Sequence, residues 1–231
     1  MNGNSPQLRR SRLAAVRLYL VSDASPRVVP VDRFLAEAAA GGVGMVQLRE
    51  KSLTDSALFA AALEWSAACR KHGALFVVND RLDIALACGA DGVHLGQDDM
   101  PLRAAREISG ADFIIGLSTH SPQQVRDAGA APVDYIGVGP IHETPTKPGR
   151  TAVGLDLIRF AAECAAQPFF AIGGLQPENI TAVLNAGATR VSVLRWIANS
   201  DDPRSAARAV SDMLDGASNN NQTSAAPLQT G

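Results

Sequence analysis

The sequence predicts a (β/α)8 barrel, a TIM barrel of eight parallel strands, and three observations lead to that fold class. A short apolar run, a turn and an Ala-rich stretch with helical spacing recur in that order eight times, which requires parallel strands with right-handed crossovers. The roughly 200 residues that carry this pattern suit a compact barrel. An open doubly wound sheet is the alternative, but it normally has a glycine-rich turn after its first strand, and Ser22 to Pro26 contain no glycine.

The predicted elements follow from hydrophobic periodicity. The strands are predicted at residues 17–21, 45–48, 75–78, 92–95, 113–116, 135–138, 169–172 and 191–194. The helices are predicted at residues 31–40, 55–72, 82–88, 102–108, 122–128, 155–165, 177–186 and 203–214. In the second helix Leu58, Trp65 and Cys69 lie on one face, Thr54 is predicted to cap the start, and Gly73 is predicted to end it.

One catalytic domain is predicted at residues 15–215, with a disordered tail on each side. Residues 1–14 and 216–231 carry too few apolar groups to offset the entropy cost of ordering them. Both tails are therefore expected to lie outside the fold.

The composition excludes several classes of protein. With 46% hydrophobic and 19% charged residues, the chain has ordinary globular usage and not that of a disordered or fibrous protein. A net charge of −2 lacks the basic footprint of a protein that binds nucleic acid. No apolar run approaches the roughly 18 residues needed to span a membrane. The N-terminal arginines leave an organelle-targeting sequence open, but three separated cysteines, expected to be buried thiols, favour a cytoplasmic protein.

Polar residues cluster directly after the predicted strands, where a barrel places its binding and catalytic groups. These clusters cover residues 47–51, 79–81, 94–99, 118–120, 139–153 and 173–174. All of them converge on one mouth of the barrel, so we expect a single site for small molecules there.

Asp80 and Asp99 follow neighbouring strands, so their carboxylates can meet at one cation. Hard oxygen ligands without His or Cys partners suit Mg²⁺, whose coordination is usually completed by substrate phosphate oxygens. The alternative is that each aspartate caps the helix that follows it. Spacing alone leaves both interpretations open.

Arg49, Lys51 and Lys147 supply positive charge that suits a pyrophosphate group in a chain with a net negative charge. The alternative for Arg49 and Lys51 is an ion pair with Glu50 or with another surface acid. Their position at a strand end favours ligand binding.

Gly173 and Gly174 follow the seventh strand, where barrels often bind phosphate. Two glycines let backbone N–H groups approach a phosphate closely, but they also suit a tight turn with positive φ. Thr144 and Thr146 offer hydroxyl donors on the long loop after the sixth strand, which we expect to act as a lid.

A hydrolytic triad is not expected. Ser118 lacks the glycine pattern of a nucleophile elbow. Three histidines near the strand ends have no carboxylate nearby in sequence to orient them, so they are expected to be structural: His94, His120 and His142.

Several motifs occur in order along the chain: YLVSD, QLREK, NDR, ADGVHLGQDDMP, GLST, DYIGVGPI followed by TPTK, and AIGGL. Together they resemble the motifs of the thiamine-phosphate synthase family, also called thiamine-phosphate pyrophosphorylases. The likeness covers residues 19–203. It implies a barrel transferase of thiamine biosynthesis that joins a pyrimidine diphosphate to a thiazole phosphate and releases pyrophosphate, with small molecules as its partners and neither nucleic acid nor membrane.

The resemblance also implies a role for each residue of the site. The pyrimidine diphosphate would contact Gln47, Leu48, Arg49, Glu50, Lys51, Asn79, Ser118 and Lys147. The Mg²⁺ cofactor would be held by Asp80 and Asp99. The thiazole phosphate would contact Thr144, Pro145, Thr146, Gly174, Leu194 and Arg195.

The implied chemistry explains why no catalytic base is evident. The nucleophile is a thiazole nitrogen, which has a lone pair and no proton to lose. The leaving pyrophosphate is the group that needs stabilisation, and the residues expected to provide it with Mg²⁺ are Arg49, Lys51, Ser118 and Lys147.

One segment departs from the family pattern. The usual Val-Ser-Ala-Ile turn after the last strand is replaced here by Leu194, Arg195, Trp196 and Ile197. Arg195 is able to pair with the thiazole phosphate, whereas the bulk of Trp196 is expected to reshape that pocket.

Two other functions stay open on the sequence. A thiazole tautomerase, an isomerase of the same barrel group, needs no pyrophosphate site, and a non-catalytic sensor of thiamine phosphate would explain Arg195 and Trp196 as drift. The motifs QLREK and TPTK, with the two aspartates, favour the transferase. A homo-oligomer is possible, because apolar residues on the outer helices serve packing and interfaces alike.

Overall fold

A computed structural model of the chain describes residues 6–143 and 151–224, with side chains for residues 9–143 and 151–217. Four residues of the predicted site therefore lie outside the described residues: Thr144, Pro145, Thr146 and Lys147.

Helices and strands alternate along the described chain. The strands are β1 (Leu18–Ser22), β2 (Val43–Leu48), β3 (Leu75–Asn79), β4 (Gly92–Leu95), β5 (Ile114–Thr119), β6 (Tyr135–Val138), β7 (Phe169–Ile172) and β8 (Val191–Val193). The helices are α1 (Pro6–Ala15), α2 (Val31–Ala40), α3 (Asp55–His72), α4 (Leu82–Ala87), α5 (Leu102–Ser109), α6 (Pro122–Ala128), α7 (Gly154–Cys164), α8 (Pro177–Asn185), α9 (Arg195–Ala198) and α10 (Pro203–Ser224).

The strands form a closed barrel in the order β1 to β8. Every neighbouring pair is parallel, and β8 returns to β1 through the pairing of Val191 with Leu18. The predicted (β/α)8 fold is confirmed. Because all eight strands run in one direction, their carboxyl ends meet at one mouth.

Alternation along each strand divides the apolar residues into two layers. Outward side chains such as Leu18 and Leu20 pack against the helices in a large buried layer. Inward side chains such as Tyr19, Val21 and Phe170 form a second cluster inside the barrel. A residue one position further along a strand thus changes from the helix layer to the barrel interior.

Helix α3 shows the predicted end signals. The Thr54 side chain accepts a hydrogen bond from the Ala57 backbone N–H, and Gly73 ends the helix with φ of 79°. Strand β5 extends further than predicted, to Thr119, so Ser118 lies within a strand and not in the loop after it. The short helix α9 was not predicted.

The prediction of a disordered N-terminal tail is wrong for residues 6–14, which belong to α1. The side chain of Leu13 is 3% exposed and packs into the inner cluster together with Val16. Arg9 pairs with Asp91, which tethers the helix to the barrel. Long-range contacts of this kind leave no periodic signal in so short a segment.

The C-terminal prediction also needs correction, because α10 continues through Ser224 and not only to residue 214. Val210 and Leu214 are buried in the helix layer, which anchors the first part of α10. The expectation of three buried thiols holds for Cys69 and Cys88, but Cys164 is exposed. Across residues 6–143 and 151–224, no helix is both long and apolar enough to cross a membrane.

Candidate active site

A cavity of about 670 Å³ lies at the carboxyl-terminal mouth of the barrel. All eight strands contribute to its lining, through Tyr19, Val21, Gln47, His94, Ser118, Gly137, Phe170, Ile172 and Ser192 together with Asn79 at the end of β3. The expectation of one site at the strand ends therefore has a structural counterpart.

Most of the described residues predicted to bind substrate line this cavity. They are Gln47, Arg49, Asn79, Ser118, Gly174, Leu194 and Arg195. Alternation explains why Leu48 is not among them: Gln47 points into the barrel, whereas Leu48 is buried in the layer between strands and helices. The Leu48 side chain is thus placed to support the site and not to contact substrate.

Glu50 is a hydrogen-bond acceptor for its own loop. One carboxylate oxygen accepts the backbone N–H of Lys51 at 2.7 Å, the backbone N–H of Ser52 at 2.8 Å and the Ser52 hydroxyl at 2.7 Å. Its other oxygen lies 3.4 Å from the backbone nitrogen of Ala24. These contacts organise the loop that follows β2 and partly compensate the Glu50 charge.

Asp80, Asp99 and Lys51 form a charged group beside the cavity. The Lys51 ammonium lies 3.3 Å from an Asp80 carboxylate oxygen. Partial burial raises the pKa of Asp80, the neighbouring Asp99 carboxylate raises it further, and Lys51 partly counters both effects. Two acidic groups held this close favour a cation between them.

The structure contradicts helix capping by these two aspartates. The residue that precedes α4 is Arg81, and Pro101 precedes α5, with no side-chain cap at either helix. Asp99 instead accepts the backbone N–H of Gly96 at 2.6 Å. Asp80 has φ of 62°, a left-handed conformation that aspartate tolerates better than most residues.

Asp80 and Asp99 are the two carboxylate ligands that the described part of the chain offers here. Among the described residues, no group of three or more His, Cys, Asp or Glu side chains is placed to hold a metal ion. A cation at Asp80 and Asp99 would therefore need oxygens from substrate or water, as Mg²⁺ commonly does.

Arg49 and Lys51 do not pair with Glu50 through their side chains. Lys51 pairs with Asp80, and within the described chain no acidic side chain forms an ion pair with Arg49. The Arg49 guanidinium therefore lines the cavity with its positive charge available to a ligand.

The diglycine forms the tight turn that was one of its two predicted roles. Gly173 and Gly174 have φ of 109° and 66° and both line the cavity. A Cβ at Gly173 would lie 2.5 Å from the Pro140 Cα, so the close packing excludes any side chain. The Asn179 amide holds the turn by donating to the Gly174 carbonyl at 2.8 Å.

A buried chain of hydrogen bonds inside the barrel was missed by the sequence analysis. Gln47 donates to the Tyr19 hydroxyl, which lies 3.0 Å from the Tyr135 hydroxyl. The Tyr135 hydroxyl lies 3.0 Å from His94 Nδ1, and His94 Nε2 lies 2.9 Å from Ser118 Oγ. Tyr19 and Tyr135 lie in the motifs YLVSD and DYIGVGPI, and the alternation of side chains along each strand could have predicted that both point into the barrel.

The other two histidines lie at the cavity in different settings. His120 contacts the Gly139 carbonyl through Nδ1, and its backbone N–H donates to the Gln124 side chain at 2.7 Å. His142 has a buried Nε2 without a hydrogen-bond partner in the described part of the chain. Neither forms part of a triad with Ser118, whose hydroxyl contacts His94.

Trp196 reaches the cavity as expected, but it is anchored. Its indole N–H donates to the Ala206 carbonyl at 3.1 Å, which ties α9 to α10. The residue is 36% exposed and forms part of the cavity lining beside Arg195.

Comparison with known proteins gives consistent matches. A family model described as thiamine monophosphate synthase matches residues 18–197. Thiamine-phosphate synthases of Gloeobacter violaceus and Acidothermus cellulolyticus are each 50% identical, over 194 and 200 residues, and that of Mycobacterium tuberculosis is 47% identical over 218 residues. The matches cover 84%, 86% and 90% of this chain. They cover 94% of the Acidothermus protein and 98% of the Mycobacterium protein, whereas the chain spans 56% of the Gloeobacter protein.

Solved structures support the same relationship. A thiamine phosphate pyrophosphorylase from Pyrococcus furiosus is 31% identical with a TM-score of 0.79, and the match covers 90% of this chain and 98% of that one. A 3-hexulose-6-phosphate synthase, 19% identical with a TM-score of 0.59 over 86% of this chain and 99% of that one, shares the fold alone. Because the family model spans most of the barrel and relatives of similar length reach 47–50% identity, this chain belongs to the thiamine monophosphate synthase family.

Proposed function

We propose that this chain is a thiamine-phosphate synthase, a transferase of the pyrimidinylmethyl group. It joins 4-amino-2-methyl-5-(diphosphooxymethyl)pyrimidine to 4-methyl-5-(2-phosphooxyethyl)thiazole, and it forms thiamine monophosphate and pyrophosphate. The observation that carries the proposal is the convergence of Gln47, Arg49, Asn79 and Ser118 on one cavity in a member of this family.

The reaction needs no general base from the protein. The bond between the pyrimidine methylene carbon and the diphosphate oxygen breaks, and pyrophosphate leaves with the electron pair. The resulting cation is stabilised by its amino-substituted ring, and the lone pair of the thiazole nitrogen then bonds to the methylene carbon. Holding the two substrates in line within a cavity of about 670 Å³ supplies the proximity that this step requires.

The residues after β2 stabilise the negative charge that develops on the leaving diphosphate. Arg49 presents its guanidinium to the cavity. The Glu50 carboxylate accepts the Lys51 backbone N–H and so fixes the backbone that carries the Lys51 side chain. We assign Lys147 to the same role because it lies in the TPTK motif. Preorganised positive groups of this kind act where charge develops in the transition state. Ser118 on β5 and Asn79 at the end of β3 contribute hydrogen bonds.

We assign Mg²⁺ to Asp80 and Asp99. The fit rests on two adjacent carboxylates, the raised pKa of Asp80 and a partial counter-charge from Lys51. Bound there, Mg²⁺ would neutralise charge on the diphosphate oxygens.

The thiazole phosphate is assigned to the opposite side of the mouth. Gly174 brings its backbone to the cavity, and Leu194 and Arg195 follow from β8. Glycines without side chains permit close approach of N–H groups to phosphate. Thr144, Pro145 and Thr146 are included in this assignment from the family motif.

The proposal also places the enzyme in the cytoplasm, with small-molecule substrates as its partners. Its three cysteines are free thiols, as is usual for proteins of a reducing compartment.

The test is incubation of the purified protein with both substrates, first with Mg²⁺ and then with EDTA. Formation of thiamine monophosphate and pyrophosphate in equal amounts, lost with EDTA, is the expected result. Conversion of a thiazole substrate without the pyrimidine would indicate a tautomerase instead. Tight binding of thiamine phosphate without turnover would indicate a sensor.

A further inference from the structure

A continuous hydrogen-bonded chain connects two sides of the cavity through the barrel interior. It runs from Gln47 through Tyr19, Tyr135 and His94 to Ser118. Gln47 and Ser118, the two ends, line the cavity, whereas Tyr135 in the middle is fully buried and forms no part of the lining. The middle link therefore acts on a ligand only through its neighbours.

Each hydroxyl in this chain has one proton to donate, as has a neutral imidazole, so the direction of one bond sets the next. When the Gln47 amide donates to Tyr19, Tyr19 donates to Tyr135 and Tyr135 donates to His94 Nδ1. His94 then carries its proton on Nε2 and donates to Ser118. The Ser118 hydroxyl proton is left to donate into the cavity, and the Gln47 carbonyl oxygen is left to accept.

The opposite direction reverses both ends. The Gln47 carbonyl would then accept from Tyr19, its amide would face the ligand, and Ser118 would donate to His94 and accept from the ligand. An intact chain thus always presents one donor and one acceptor to the ligand at its two ends. Whether Gln47 donates or accepts therefore decides whether Ser118 accepts or donates.

We propose that Tyr135 is a positioning residue that makes the cavity selective for an aminopyrimidine. The inference rests on the proposed function, because it concerns the ring of that substrate. An exocyclic amine donates to the Gln47 carbonyl, and a diphosphate oxygen, which can only accept, takes the Ser118 proton. A 4-oxo ring places an acceptor where the amine was, so it requires Gln47 to turn and the whole chain to reverse. Ser118 would then donate to His94 and have no proton left for the diphosphate oxygen.

Burial keeps the protons of the chain in place. Burial raises the pKa of Tyr135 well above its ordinary value, and it raises the pKa of Tyr19 despite the hydrogen bonds from Tyr135 and Gln47. Both hydroxyls therefore stay protonated throughout the neutral range. Phe170 packs edge-on against the two rings, with centroids at 5.3 and 5.6 Å, which limits their movement.

The barrel also makes room for Tyr135 through the strand next to it. A Cβ on Gly116 would lie 2.1 Å from Tyr135 Cζ and 2.4 Å from its hydroxyl oxygen. The Gln97 side chain donates to the Ser118 carbonyl at 2.7 Å, which fixes the backbone at the far end of the chain. Close packing therefore sets the position of Tyr135, and a further hydrogen bond fixes the backbone at Ser118.

The experiment compares the wild type with Tyr135→Phe, which removes one hydroxyl and keeps the ring. Dissociation constants are measured by calorimetry for the 4-amino pyrimidine diphosphate and for its 4-oxo analogue, without thiazole phosphate. We expect the wild type to prefer the amino compound by about a hundredfold, and Tyr135→Phe to lose at least about tenfold of that preference. The KM for thiazole phosphate is expected to stay unchanged.

Phe76→Leu is the matched control, because Phe76 is buried in the layer between strands and helices, does not line the cavity and forms no link of the chain. Preserved preference in Phe76→Leu with lost preference in Tyr135→Phe supports the inference. Unchanged preference in Tyr135→Phe, or equal loss in Phe76→Leu, overturns it.

A second variant covers the case in which Tyr135→Phe does not fold. Tyr19→Phe breaks the same chain one link away, so the same loss of preference is expected, and its absence overturns the inference. In the double variant the two losses of preference are not additive if both hydroxyls act through the same chain.

Turnover distinguishes failure of the proposed function from failure of this inference. A wild type that makes no thiamine monophosphate contradicts the proposed function. Turnover with unchanged preference in the variants contradicts only the role of Tyr135.

Discussion

The Lys51 ammonium lies 3.3 Å from the Asp80 carboxylate and joins the loop after β2 to the loop after β3. This contact connects the residues assigned to diphosphate with those assigned to the metal. We therefore propose that the Lys51 side chain serves both groups.

Lys51→Ala is therefore expected to lower kcat by about a hundredfold, because a preorganised charge at the leaving group is lost. Steady-state kinetics with both substrates measure the effect. Lys71→Ala is the matched control, since Lys71 pairs with Asp32 at 2.8 Å away from the cavity. A kcat for Lys51→Ala that matches the control would remove Lys51 from the proposed machinery.

Lys147→Ala is expected to cost roughly 3 to 4 kcal/mol of transition-state stabilisation, or about a hundred- to thousandfold in kcat. The reason is the same developing charge on pyrophosphate. A kcat within about tenfold of the wild type would argue against a role in leaving-group stabilisation.

Glu50→Gln is expected to reduce stability in a pH-dependent way. Burial alone would raise the pKa of Glu50, but the hydrogen bonds from Ser52, Ala24 and Lys51 together hold it below the ordinary value. The carboxylate therefore stabilises the fold above its unfolded-state pKa of about 4.3, and this contribution is lost as the pH falls through the lower folded value.

Urea unfolding of the wild type and Glu50→Gln between about pH 3 and pH 7 checks this expectation. The difference should be no more than about 1 kcal/mol at neutral pH, since solvent screens a partly exposed site. It should shrink below about pH 4. A difference that grows on acidification would contradict the assigned role of the carboxylate.

Gly116→Ala is expected to destabilise the barrel by about 1 to 3 kcal/mol or more, because its Cβ would lie 2.1 Å from Tyr135 Cζ. Chemical denaturation measures the loss. Gly216→Ala is the control: it lies in α10 with nothing within 4 Å of the added Cβ. The control should be neutral or slightly stabilising, by up to about 1 kcal/mol, and equal effects at both positions would contradict the packing argument.

Leu13→Ala is expected to cost about 2 to 5 kcal/mol of unfolding free energy, because it opens a cavity where α1 covers the barrel interior. Leu63→Ala, at a position that is 45% exposed on α3, should cost much less. Thermal and urea unfolding of the two variants give the comparison. Similar losses would show that α1 is not part of the stable core.

Local patterns in the sequence were sufficient to predict the eight strands and to predict seven of the helices near their observed bounds. They also predicted that the site residues cluster at the strand ends. The physical reason is that strand and helix periods are local properties, and parallel strands bring their carboxyl ends together whatever the loops contain. Gln47 and Arg49 could be placed at the mouth by this argument alone.

Tertiary structure decided what each polar residue contacts. Capping and metal binding by Asp80 were equally compatible with its spacing, and only the folded chain brings it beside Asp99 and Lys51. The Tyr19 and Tyr135 hydroxyls meet across the barrel although 116 positions separate them. The sequence by itself determined the barrel and the location of its site. Which distant residues contact each other depended on closure of the sheet, and a local sequence pattern carries no information about that.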